Sequence, residues 1–104
     1  MAKLTIIYWR DIPAQIIGQQ GRKRHRQELT PRFAKAIDRA AMRAGRGSSD
    51  AYLEDWRRVS STVNEDMVTA VSDEAARLEA QFPDTVLEAT VKTGGVVAGK
   101  EAEE

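Results

Sequence analysis

Between residues 3 and 10 the chain reads KLTIIYWR, a β-branched and aromatic run with no breaker, which predicts a strand. Alternation places Leu4, Ile6 and Tyr8 on one face and Thr5, Ile7 and Trp9 on the other. Asp11, Ile12 and Pro13 signal a turn. A second strand over 14–20 would complete a hairpin, with Gly18 weakening it or permitting a bulge. The pattern then switches period. Phe33, Ala36, Ile37, Ala40 and Ala44 recur at helical spacing behind Thr30 as N-cap and Pro31 at the first helical position. Gly45 follows as a suitable C′ residue.

A second helix is predicted from Ser49 or Asp50 to about Val59, with Tyr52, Leu53, Trp56 and Val59 inward. The capping box Thr62–Glu65 would open a third, whose stripe of Val63, Met67, Val71, Ala75, Leu78 and Phe82 ends at Pro83. Residues 85–92, TVLEATVK, alternate as a half-buried strand. The expected class is therefore α+β. A three-stranded sheet, made of the hairpin and the C-terminal strand, carries three helices on one face in the order β-β-α-α-α-β. Residues 1–93 form this single domain, and 94–104 are expected to be a flexible acidic tail.

Length and composition agree with one small core: 104 residues, 41% hydrophobic. No apolar run is long enough for a membrane span. The N-terminus lacks a signal-peptide cleavage pattern, so a cytoplasmic protein is expected. There is no cysteine, which removes thiol nucleophiles, disulfides and Cys-ligated metals. Formal net charge is zero, yet residues 1–58 carry 13 Lys/Arg against 6 Asp/Glu, and residues 59–104 carry 3 against 10. Such a split marks two electrostatic faces, or a basic surface offset by an acidic tail.

Candidate chemistry is sparse. His25 is the single histidine and sits among Arg22, Lys23, Arg24 and Arg26, so it reads as a solvated surface residue. No catalytic constellation, metal-ligand spacing, phosphate loop or cofactor motif is present; the carboxylate pairs Glu54-Asp55, Glu65-Asp66 and Asp73-Glu74 read as solvated helix faces. The positive signal is cationic. Arg22, Lys23, Arg24 and Arg26, in an expected loop, would join Arg32, Lys35, Arg39 and Arg43 of the first helix in one basic surface. Two aromatic-basic groups accompany it. If exposed, Trp9 and Arg10 have the chemistry of an interface hot spot; if buried, Trp9 is a core anchor. Tyr52 and Trp56, beside Arg57 and Arg58, carry the same ambiguity.

LTIIYWRDIPAQI, GRKRHRQELTPRFAKAIDRAAMRAG and DAYLEDWRR together resemble the small bacterial family known as "virulence factor". The likeness covers about residues 3–92 and rests on the combination YWRDIP, RFxxAIDxAAM and YLEDW. Related domains occur in conserved virulence factor C proteins beside a scaffold-type domain and HEAT-like repeats, which this chain lacks. The resemblance implies no catalytic set and no cofactor. Stand-alone members near genes of folate- and corrinoid-dependent one-carbon metabolism imply an accessory subunit or chaperone of such enzymes.

The leading expectation is a non-enzymatic protein-interaction module whose partner is a larger enzyme or scaffold. Arg10, Arg22, Arg24, Arg26, Arg32 and Arg39 would steer an acidic patch, and Trp9 or Trp56 would anchor it. The alternatives are nucleic-acid binding, or recognition of an anionic small molecule, through the basic 22–43 surface.

Overall fold

Two tight turns build most of the sheet. Strands β1 (Ala2–Trp9) and β2 (Ile12–Gln20) are joined by Arg10–Asp11, and β2 and β3 (Lys23–Glu28) by Gly21–Arg22. In each two-residue loop the first residue takes positive φ, 55° at Arg10 and 62° at Gly21, as a type II′ hairpin turn requires. The computed structural model describes residues 2–45 and 49–96. In it β4 (Trp56–Val63) pairs with the free side of β1, giving an antiparallel four-stranded sheet in the order β3-β2-β1-β4. The helices are α1 (Pro31–Arg43), α2 (Ser49–Glu54), α3 (Met67–Gln81) and α4 (Asp84–Lys92).

The fold is α+β, as expected, but three elements differ from the prediction. Residues 23–28, expected as a loop, are an edge strand: a highly charged run follows β2 because the Gly21 turn returns the chain in register, Gln20 opposite Lys23 and Gly18 opposite His25. The second helix stops at Glu54, and 56–63 is a strand lying along β1 from Trp56 opposite Trp9 to Val63 opposite Ala2. Tyr52, Trp56, Val59 and Val63 happen to fall at helical spacing, yet the run WRRVSSTV has the β-branched and hydroxyl composition of a strand. Asp66, not Thr62, caps α3, its carboxylate accepting from the Val68 and Thr69 amides at 3.1 and 3.3 Å. Finally, 84–92 is a helix rather than the third strand. Leu87, Thr90 and Val91 form its buried stripe, and alternation over eight residues was a chance reading of a short apolar segment. The first two strands and the helix over 31–43 are present as expected, but the turn sits at Arg10–Asp11 and not over 11–13, so Ile12 and Pro13 belong to β2, paired with Trp9 and Tyr8.

Packing follows from the register. Leu4 faces Gly18 and Ile6 faces Ile16 across the β1–β2 ladder, and α3 lies over this side of the sheet. A bulge at Ile7/Tyr8 leaves Ala14 without a partner in β1 and seats Pro13, which has no amide to give, opposite Tyr8. The freed Ala14 carbonyl accepts the Leu29 amide at 3.1 Å, which ties the end of β3 to β2 just before α1 begins. Phe33 of α1 meets Phe82 edge-on, with ring centroids 5.9 Å apart, and α1 packs along α4.

The closest approach is at Gly18. A Cβ there would stand 2.6 Å from Met67 Cγ and 2.7 Å from Val71 Cγ2, so α3 rests on bare backbone. Gly18→Ala is expected to lower unfolding free energy by about 1–3 kcal/mol through overpacking, read by urea denaturation with an unchanged slope.

Candidate functional site

The YWRDIP segment is a structural clamp. Trp9 is 0% exposed. Its Nε1 donates to the Tyr52 carbonyl at 2.9 Å, and its ring stacks on Tyr52 at 5.9 Å and 23°. Of the two readings of Trp9, the core anchor is the one the structure gives. Arg10 holds its positive φ through three contacts. Its amide donates to the Asp55 carbonyl at 3.0 Å, its Nε pairs with Asp55 Oδ2 at 3.2 Å, and its Nη1 donates to the Gly94 carbonyl at 3.0 Å. Arg57 donates from Nε to the Arg10 carbonyl at 2.8 Å, pairs with Asp11 at 3.3 Å, and lies over the Tyr8 ring at 4.5 Å. Gly95 accepts the Asp11 amide on its carbonyl at 2.8 Å, and a Cβ on it would lie 2.8 Å from Trp9 Cζ3. Gly94 and Gly95 are therefore buried parts of the domain, although the tail was expected to begin at 94. Residues 97–104 of that tail lie outside the described residues.

The arginines of α1 are engaged by the neighbouring helices at the surface, while Lys35 beside them is exposed. Arg32 donates to the Phe82 and Glu79 carbonyls at the end of α3, pairs with Glu79 Oε1 at 2.9 Å and with Asp84 at 3.3 Å, and stacks over Phe33. Arg39 forms a two-pronged pair with Glu88 at 2.6 and 2.7 Å, and Arg43 donates to the Lys92 carbonyl at 3.1 Å, at the C-terminal end of α4. Burial raises the pKa of Glu79, but hydrogen bonds from the Thr30 amide, Arg32 and the Thr30 hydroxyl outweigh it and hold the carboxyl below its ordinary value. The bond to Arg39 does the same for Glu88. The expected single basic surface over 22–43 is thus two surfaces, because α1 spends its arginines on α3 and α4.

Arg22, Lys23, Arg24 and Arg26 make no ion pair among the described residues and are exposed. The ladder places two of them with other cations on the sheet face opposite α3. Arg24, Gln19, Lys3 and Thr62 form one cross-strand row; Arg26, Ile17, Thr5 and Ser60 the next; Glu28, Gln15, Ile7 and Arg58 the third. Half-buried Ile7, Ile17 and Thr5 occupy the middle of this face with half-buried Gln15 beside them, and the other flanking positions are exposed. His25 and Gln27 point to the α3 side.

At one end of the open face stands Trp56, half-buried and edge-on to Tyr52 at 5.6 Å. On one side of it a cleft of ≈ 240 Å3 is lined by Leu29, Ile37 and Tyr52, with Arg26, Glu28 and Asp38 also contributing. On the other, a broader depression of ≈ 540 Å3 is lined by Ile7, Leu53, Arg57 and Arg58; Leu53 is 63% exposed. Burial, and then the Asp38 charge, push the Tyr52 phenol above its ordinary pKa, so it remains a neutral hydroxyl in the first cleft. Sequence reasoning does not single out Glu28, Ile37 and Asp38 of the first cleft or Leu53 of the second as site residues; the register of β3 and the end of α2 set them on either side of Trp56. Elsewhere, Glu65 lies beside Asp73 and is pushed upward by burial and by that carboxyl. Among the described residues no group of three or more His, Asp or Glu is placed to hold a metal ion, and no helix is long and apolar enough to cross a membrane.

Fold and site together define a small α+β domain with one sheet face covered by a helix and the other open, basic at its β3 margin and aromatic at one end. The chain belongs to the virulence factor family, whose model matches residues 7–91. No curated protein and no solved structure matches it.

The Glu79 network carries a pH signature. Because the folded carboxyl titrates below its ordinary value of 4.5, its contribution is complete above that value and is lost as pH falls through the folded one. Glu79→Gln is expected to cost about 1–3 kcal/mol at neutral pH and to flatten the acid limb of the stability curve, with Glu88 preserving part of the slope. Chemical denaturation across the acid range reads both effects.

Proposed function

We propose that this domain is a protein-interaction module that docks an acidic segment of a larger partner on its open sheet face, with Trp56 as anchor. The observation that carries this reading is Trp56 itself. It stands between two clefts, at the outer end of an aromatic stack rooted in fully buried Trp9, and shares those clefts with Arg26 and Arg58, which no described residue neutralises. A half-buried tryptophan held by rigid neighbours loses little freedom on binding, and arginines around it add steering and specificity. Of the six arginines first assigned to steering, Arg22, Arg24 and Arg26 keep that role in the proposal. Arg10, Arg32 and Arg39 serve the fold, and Trp9 supports the anchor from below.

A nucleic acid is the weaker reading of the same charges. Sequence-tolerant binding of single strands uses aromatic platforms along the path of the bases, and the middle of this face offers Thr5, Ile7 and Ile17 instead. The family resemblance suggests a folate- or corrinoid-dependent one-carbon enzyme as the partner to look for first, with the domain as its cytoplasmic accessory subunit.

The test is affinity capture from the native bacterium with and without nuclease, comparing the wild-type chain with Trp56→Ala and identifying captured proteins by mass spectrometry. A stoichiometric partner that survives nuclease, and whose measured affinity falls at least about tenfold in Trp56→Ala while the variant still melts cooperatively, is expected. Material lost to nuclease, or a partner indifferent to Trp56, would overturn the proposal.

A further inference from the structure

We infer that the free edge of β3 is a strand-addition site selective for an extended acidic segment; the inference rests on the docking reading above and names the segment's conformation and place. β3 is the terminal strand of the sheet, and none of its six residues makes a hydrogen bond other than through its ladder with β2. About half of its backbone amides and carbonyls therefore point outward, ready to pair with another chain.

Charge on an edge strand ordinarily keeps other strands away. Here the charge is nearly of one sign, since Lys23, Arg24 and Arg26 stand against Glu28 alone, so the edge repels basic strands and leaves acidic ones attracted. The opposite edge differs: in β4 only Arg57 and Arg58, at its start, are charged, and 59–63 carry no charge at all. The register makes the selectivity specific. An added strand extends the cross-strand rows by one position, so alternate residues on the open face fall beside Arg24, Arg26 and Glu28. The first two positions favour carboxylates. The third lies at Glu28, which with Arg26 lines the cleft below Tyr52 and Trp56, and there an apolar side chain fits and a carboxylate does not. The geometry assigns the pattern acidic-x-acidic-x-apolar, read along β3 from Arg24 to Glu28.

The probe is a short labelled peptide of Thr, Glu and Val in that alternation, titrated against the full chain by fluorescence anisotropy and amide NMR. Three comparison peptides carry Lys in place of Glu, backbone N-methylation at alternate residues, or the same composition shuffled. Binding of the patterned peptide is expected, with a loss of at least about tenfold for each comparison peptide and for the double variant Arg24→Glu/Arg26→Glu. Amide shifts should be largest along β3. Equal binding of the N-methylated peptide would overturn strand addition, since attraction of charge alone does not need the backbone. An affinity that falls in Trp56→Ala but not in the β3 variant would overturn it too, while leaving the docking proposal standing. Absence of binding by every peptide, for a chain that still captures its partner through Trp56, would sink strand addition alone.

Discussion

Burial of Trp9 is the constraint on which one whole end of this molecule depends. A fully buried indole must bond its N–H, and the acceptor available is the Tyr52 carbonyl near the end of α2. That bond fixes where α2 ends, and so where β4 can begin. Gly95 must be glycine, because its φ of 97° and the indole above it both exclude a side chain. Arg10 then takes a conformation unfavourable to a residue with a Cβ, and stays there because Asp55, Gly94 and Arg57 bond it from three directions. Turn, short helix, edge strand and C-terminal segment are thus solutions to one packing problem.

The charge split along the chain has a related explanation. Excess cations in the first half and excess acids in the second meet across the helical layer: Arg32 with Glu79 and Asp84, Arg39 with Glu88. Zero net charge is an even balance of 16 cations and 16 acids over the whole chain and does not report the potential of the open sheet face. Among the groups outside these ion pairs are the cations of β3, with Lys3 and Arg58 on the open face. The lowered pKa values of Glu79 and Glu88 come from the same contacts, so helical packing and charge neutralisation weaken together in acid.

Much of this was legible in the sequence where a local cause dominates. The hairpin strands, the helix opening at Pro31 and the stop at Gly45 follow from propensity, proline in the first turn and glycine geometry, each local; Thr30 holds the N-cap position, but its hydroxyl donates to Glu79 and caps no helix amide. The segments misread are those decided by distant partners. KRHRQE has little intrinsic reason to be extended, and becomes a strand because β2 offers it a ladder. TVLEATVK satisfies both periods, and it is α1, with Arg39 reaching Glu88, that favours the helix. The site shows the same division. Trp56 and the β3 cations could be named from residue type, but the sorting of α1's arginines from β3's required knowing that α4 is a helix lying alongside them.

A sheet with only one covered face leaves the other to be stabilised or used. Here Thr5 and Ser60 bond across the strands at 3.0 Å, so part of the open face satisfies itself. Ile7 and Ile17 do not; they remain half-buried under nothing but neighbouring side chains. Isolated surface isoleucines need no explanation, but these two lie in adjacent rows, between the cationic β3 margin and the Trp56 clefts. Apolar centre, basic margin and rigid aromatic end occupy one continuous surface. The aromatic end depends on Trp9: the residue that closes the core also holds Tyr52, and Tyr52 holds Trp56 at the surface. Selection for a stable end of the sheet and selection for a binding face would therefore act on the same aromatic stack, and a substitution that loosens the core beneath Tyr52 would be felt at Trp56.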